Sequence, residues 1–452
     1  METRRRALQT RLDYPVLTLP PEITSEIFLH CLPETRELDV VNPREAPLLL
    51  THVCRAWRQI ASSLPALWTT FQVMNVVDFP RLFRIAEIWF THSRQCPISV
   101  KVYGSLRLVN NFAGLRETFR QHSGRMHSLD LQVSVENLEK MNSDGLDFGL
   151  LQKLSLRLFD ADVDDDDPIT MFGNVPLLRE LLMSEAPPSF VPLPWQQLTK
   201  FTGEIFTPAQ SMEALHLMPN LVDCAFSVFR DDEGDLKVFT HTKIQHFSIF
   251  GSMDMLGTSA DSAQLIALIT LPVLRTLEIH DVDDFEGTPL DSMLASFLSR
   301  SKPPLHKISV RRFSADNGRP PLPLTPSFTN LGITHLEIWQ PSDFFLQPFF
   351  KSFASDPRIL PKLQNLSLPG CRDENGEMTV YEILELAATP ITERRNLTQC
   401  ARLESFRVVE EAGGIDCSFP LPQYLEEHLL SFRNLKAAGM EIYLGSEEKS
   451  FV

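Results

Sequence analysis

The spacing of hydrophobic positions changes character along this chain. In "LPPEITSEIFLHCLPE", Ile23, Ile27, Phe28, Cys31 and Leu32 fall at i, i+4, i+5, i+8 and i+9, which predicts a helix with one apolar face. Pro20 and Pro21 suit a first turn that needs no amide donors, Glu22 suits the positive end of the helix dipole, and Pro33 closes the element. After the polar connection "ETRELDVVNPRE", the stretch "APLLLTHVCRAWRQIASSLPALW" predicts a second helix with Leu50, Val53, Trp57 and Ile60 on one face. Leu49, Cys54 and Ala61 lie on its other side, and a short third helix ends on Leu67 and Trp68. Such short helices bury too little surface to be stable alone and carry more apolar surface than one hairpin interface can hide. Either the rest of the chain or a separate protein must cover the remainder.

The segment "FPRLFRIAEIWFTHS" predicts a joining helix, and "PISVKVYG" alternates Ile98, Val100 and Val102 as a candidate first strand. From residue 96 onward the pattern becomes a recurring L-x-x-L-x-L unit, clearest in "LLQKLSLRL", "PLLRELLMS", "PVLRTLEIH", "PPLHKISVR", "GITHLEIWQ", "PKLQNLSLP" and "ARLESFRVV". The first apolar residues of the copies are Met126, Leu151, Leu178, Leu198, Leu221, Ile244, Leu274, Leu305, Ile333, Leu363, Leu403 and Leu435. Their steps average about 28 residues, at the upper end of a leucine-rich-repeat period, with one step of 40 before Leu403. In each unit L-x-L predicts a short strand with alternate residues inward, and the intervening segment a returning helix or turn. Stacked units then share one continuous core. The expected fold is α/β: an N-terminal helical module followed by an irregular solenoid, a curved parallel sheet with helices and loops on its convex side.

Composition narrows the function classes. The 452 residues are 43% hydrophobic and carry a net charge of −16. Residues 1–70 hold eight basic and eight acidic side chains, so the whole excess falls beyond them. That acidity argues against a phosphate-backbone binder; it fits either an ordinary acidic surface or partners with basic surfaces. Seven widely spaced cysteines without C-x-x-C read as small buried hydrophobes in a reducing compartment. "LIALITLPVL", the longest apolar run, is about half a membrane span. No secretory signal follows the N-terminal arginines, so a cytoplasmic or nuclear location is expected.

Several constellations invite chemistry and fail it. "DADVDDDD" from Asp160 to Asp167 begins like a calcium loop but has Asp165 where glycine is needed and Met171 where glutamate is needed. His241 and His246 are wrongly spaced for H-E-x-x-H, and no nucleophile elbow, phosphate loop or dinucleotide fingerprint occurs. "APPSFVPLPW" and "GRPPLPLTPS" read as loops crossing between strands. No enzyme activity, metal or cofactor is expected.

At Leu19-Pro20, Ile27-Phe28, Val53-Cys54-Arg55-Ala56-Trp57 and Leu67-Trp68 the sequence resembles the F-box family. It is most similar to the F-box-like proteins abundant in mushroom-forming fungi. The resemblance covers about residues 14–70, with a longer connection between the first two helices than in the shortest members. It implies a helical module that docks on a Skp-type adaptor and through it on a cullin, with Leu19, Pro20, Ile23, Ile27, Phe28, Val53, Cys54 and Trp57 carrying the contact. The repeats would then hold a target protein for ubiquitin transfer, in a chain that is monomeric outside the complex and binds no nucleic acid or membrane. The alternative is a repeat scaffold unrelated to ubiquitin whose N-terminal helices cap the solenoid.

The expected organisation is a tail at 1–13, the F-box-like domain at 14–70, a linking helix at 71–95, the repeats at 96–445 and a tail at 446–452. The variable positions of the clearest repeats form three expected rows: Thr276, Lys307, His335 and Asn365; Glu278, Ser309, Glu337 and Ser367; His280, Arg311, Trp339 and Pro369. Of these, His280, Arg311, Trp339 and Glu337 are the candidate target contacts, since Trp and Arg dominate interface hot spots.

Overall fold

The computed structural model describes residues 19–33, 42–74, 79–103, 112–142, 146–159, 168–228, 236–251, 261–280, 290–311, 328–341, 343–371, 378–410, 426–446 and 450. The chain divides into two compact units at Leu198/Thr199.

The first unit opens with the helical module: α1 (Pro21–His30), α2 (Leu48–Val53), α3 (Arg55–Ser63) and a 3-10 turn at Pro65–Trp68. The predicted second helix is broken at Cys54, which is extended (φ −156°, ψ 172°) and caps α3 by accepting the Trp57 amide on Sγ. Arg58 Nε donates to Thr51 O across the break at 2.7 Å. A strand, β1 (Thr70–Met74), follows at once, then α4 (Phe79–His92), β2 (Ile98–Tyr103), α5 (Phe112–His122), β3 (Met126–Ser134), α6 (Val135–Met141), β4 (Lys153–Phe159) and β5 (Glu180–Ser184). The strands pair in parallel and in chain order from β1 to β5. The sheet therefore begins inside the expected linker, and "PISVKVYG" is its second strand. "TTFQVM" was hidden because only Phe71 and Val73 alternate before the pattern ends; both are buried.

Trp68 joins the module to this sheet. It is 2% exposed, donates from Nε1 to Ala61 O at 2.8 Å, and meets Trp89 of α4 edge to face at 4.8 Å. Trp89 in turn donates to Thr70 O and packs on Phe71. The "APPSFVPLPW" segment carries 3-10 turns at Pro188–Phe190 and Trp195–Gln197, with Phe190, Val191 and Trp195 buried.

The second unit contains β6 (Lys200–Phe206), α7 (Pro208–Leu217), β7 (Asp223–Val228), β8 (Phe239–Thr240), β9 (His246–Phe250), α8 (Asp261–Leu268), β10 (Ile269–Thr270), β11 (Thr276–His280) and α9 (Leu290–Ser301). It continues with β12 (Lys307–Arg311), β13 (His335–Trp339), α10 (Asp343–Ser355), β14 (Asn365–Cys371), α11 (Val380–Asn396), β15 (Ser405–Glu410), α12 (Glu426–Ala437) and β16 (Glu441–Ser446). From β6 to β16 the strands again run parallel in chain order, except that β8 and β10 form a small pair of their own.

Repeat register is enforced by backbone chemistry. Leu151, Leu178, Leu198, Leu221, Leu274 and Leu363 each donate their amide to the carbonyl three residues earlier, closing a turn, and each strand starts two residues later. The residue before each strand then donates to its counterpart in the preceding unit: Gln245 to Val222, Arg275 to Gln245, His306 to Arg275, Thr334 to His306, Gln364 to Thr334, Glu404 to Gln364. A one-residue slip would turn the inward side chains out, so these bonds and the buried alternation specify the same register. The 40-residue step before Leu403 is filled by α11, which starts in a Thr379/Glu382 capping box. The last expected copy is misplaced: Leu435 lies in α12, which ends at Ala437 and is followed by a turn at Gly439 (φ +84°), and the strand begins only at Glu441.

Arginines brace consecutive units by donating to carbonyls near the C-terminal ends of neighbouring helices. Arg125 Nη2 reaches Phe90 O and Ser93 Oγ; Arg300 reaches Ile266 O and Ile269 O; Arg395 reaches Leu435 O and Ala438 O. Such carbonyls lack intrahelical donors and carry the negative end of the dipole, so a guanidinium suits them.

His241 is 4% exposed, contacts Met218 O through Nε2 at 3.0 Å and accepts the Lys243 amide on Nδ1 at 3.3 Å, the pattern of a neutral ring. Burial holds its pKa below the ordinary histidine value, reinforced by Lys243 and opposed by the Met218 carbonyl. In the unfolded chain the ring gains a proton near pH 6.5, so this contribution to stability is complete above that value. It is lost as pH falls toward the folded value, by at most about 1.4 kcal/mol per pH unit. The thermal midpoint should fall between about pH 7.5 and about 5.5, and His241→Gln should flatten that fall. An identical slope in the variant would assign the dependence elsewhere.

Candidate functional site

On α1 the apolar residues divide between two faces. Thr24 and Phe28 point inward, Phe28 fully buried with its ring 4.9 Å from that of Trp57 and edge on at 61°. Ile23 and Ile27, one turn apart, point outward and are 51% and 42% exposed, with Leu19 before the helix (36%) and the C-cap Cys31 exposed as well. The face expected from the sequence is thus turned by one residue, with the Phe28 ring packed inward against Trp57. Phe28 is corrected from a docking contact to the core of the module, and exposed Cys31 departs from the expectation of buried cysteines.

A matching stripe runs along α2. Leu50 is buried, whereas Leu49 and Val53, again one turn apart, are 43% and 54% exposed. The break at Cys54 frees Val53 from the line of Trp57 and Ile60 that a continuous helix would impose. Cys54 and Trp57 are half-buried, Cys54 through its capping role, and Pro20 is exposed at the start of α1. Leu49 was missed, although its i, i+4 relation to Val53 is visible in the sequence. Large exposed apolar side chains thus stand one turn apart on each of two helices of one short module.

The second candidate surface lies in the second unit, on the sheet face opposite the buried L-x-L residues. The expected rows are in register: Thr276↔Lys307↔His335↔Asn365, Glu278↔Ser309↔Glu337↔Ser367 and His280↔Arg311↔Trp339. Beyond Ser367, Gln340 donates its amide to Pro369 O at 2.9 Å. Lys307 Nζ lies 2.5 Å from Glu337 Oε2, Ser248 Oγ donates to Glu278 Oε2 at 2.8 Å, and Asn365 Nδ2 lies 3.0 Å from His335 Nε2. Ser309 is sealed at 2% exposure and cannot meet a partner. Trp339, Arg311, Glu337 and His280 are all half-buried, so each keeps an accessible edge.

The His280 row extends to Phe250 of β9, whose ring meets the imidazole edge to face at 5.1 Å. Aligning "IQHFSIF" with the other copies would have placed it there. Neither a protein-family model nor a curated protein matches the chain. Among the described residues no three His, Cys, Asp or Glu side chains are grouped to hold a metal, and no helix is long and apolar enough to cross a membrane. The acidic run from Asp160 to Asp167, "GRPPLPLTPS" and Cys417 lie outside the described residues. The helical module exposes apolar side chains, and the sheet rows combine aromatic side chains with paired charges.

Proposed function

We propose that this chain is a substrate receptor of a cullin-based ubiquitin ligase, in which the helical module docks on a Skp-type adaptor and a leucine-rich-repeat array captures the target. The observation that carries the reading is the pair of exposed stripes, Ile23 and Ile27 on α1 with Leu19 just before it, and Leu49 and Val53 on α2, left exposed while Phe28 and Leu50 are buried. Fully burying an exposed side chain of this kind contributes roughly 1.5 to 3 kcal/mol, and covering the remaining third to half of each of these contributes a fraction of that. The receptor would act by proximity, raising the effective concentration of target lysines near the activated ubiquitin. No residue of this chain then performs chemistry.

The capping alternative draws on Trp68, which the sheet side of the module buries against Trp89. That contact uses a different set of side chains from the two stripes, so it accounts for the attachment of the module and leaves the exposed residues without a role. The test is capture of the full chain by an immobilised Skp-type adaptor, with Ile27→Asp and Val53→Asp as the variants. Loss of capture by about tenfold or more in each, at an unchanged melting midpoint, is expected. Absence of capture by well-folded wild-type protein would leave the capping scaffold as the better reading.

A further inference from the structure

We draw no further inference here: the strongest candidate, the exposed Arg407 guanidinium 5.2 Å from the centre of the Tyr443 ring on the open face of β15 and β16, carries nothing because exposed Glu441 on that face offsets its charge and nothing in the structure shows what covers it.

Discussion

Arg394→Ala is expected to be among the most damaging single substitutions in the second unit, lowering its stability by roughly 3 to 5 kcal/mol. The side chain is 2% exposed, yet it makes no ion pair; its Nη1 donates to Phe353 O and Asp356 O at 3.0 and 3.2 Å, and its Nη2 to Ile359 O and Leu360 O at 2.6 and 2.9 Å. The guanidinium also lies 4.3 Å from the centre of the Phe353 ring. These carbonyls close the end of α10 and the turn that leads into β14, so a residue of α11 holds the preceding unit shut. Removal takes a donor from all four carbonyls; Asp356 O and Leu360 O keep the amides of Ile359 and Leu363, and for the others the penalty of an unmet buried group exceeds the modest net gain of the bond itself. Burial pushes the Arg394 pKa down, with Cys400 and Asp356 opposing, but a guanidinium remains charged across the folded range. Arg394→Lys keeps the charge and loses the planar fork, and is expected to recover less than half of the deficit. Urea unfolding monitored by circular dichroism reads both variants; a cost below about 1 kcal/mol for Arg394→Ala would show that water replaces the side chain.

How far the sequence discloses this architecture depends on whether a feature is written in apolar spacing. Strand positions were legible because each unit repeats the requirement: Leu274, Leu305, Ile333 and Leu363 all stand two residues before a strand, as their pattern implies. Leu435 misled because the end of an amphipathic helix and the start of a repeat look alike over six residues; only Gly439, a helix stop, marks the difference. The arginine braces were illegible in principle. Arg300, Arg394 and Arg395 sit on helices where a basic residue ordinarily reads as solvated, and their acceptors are backbone carbonyls, which have no sequence signature.

Of the candidate sites, the sheet rows were legible except at Pro369: the β13–β14 pairing ends at Ser367, so the third row stops at Trp339. Missing from that reading was burial, which removes Ser309 from the surface. For the helical module the stretch was legible but its faces were not. A helix with apolar residues at Ile23, Ile27 and Phe28 has two nearly equivalent ways to turn, and the choice is made by Trp57 from another helix.

That choice gives the sharpest contrast available between neighbouring residues. Phe28→Ala is expected to destabilise the module by roughly 3 to 5 kcal/mol, because the ring is wholly buried and its removal leaves a cavity beneath Trp57 that short helices close poorly. Ile27→Asp, one position away on the exposed stripe, should change stability by no more than about 0.5 kcal/mol. Adaptor capture should fall in both, for different reasons: in Phe28→Ala it should follow the loss of helicity on warming, and in Ile27→Asp it should be lost at every temperature while helicity is kept. Phe28→Leu separates the two effects further, since a residue that refills most of the volume should restore folding and capture together. If Phe28→Ala instead melted like wild type and still lost capture, Phe28 would have to reach the partner itself. The exposed stripe would then be secondary, and the module would have to open when it binds.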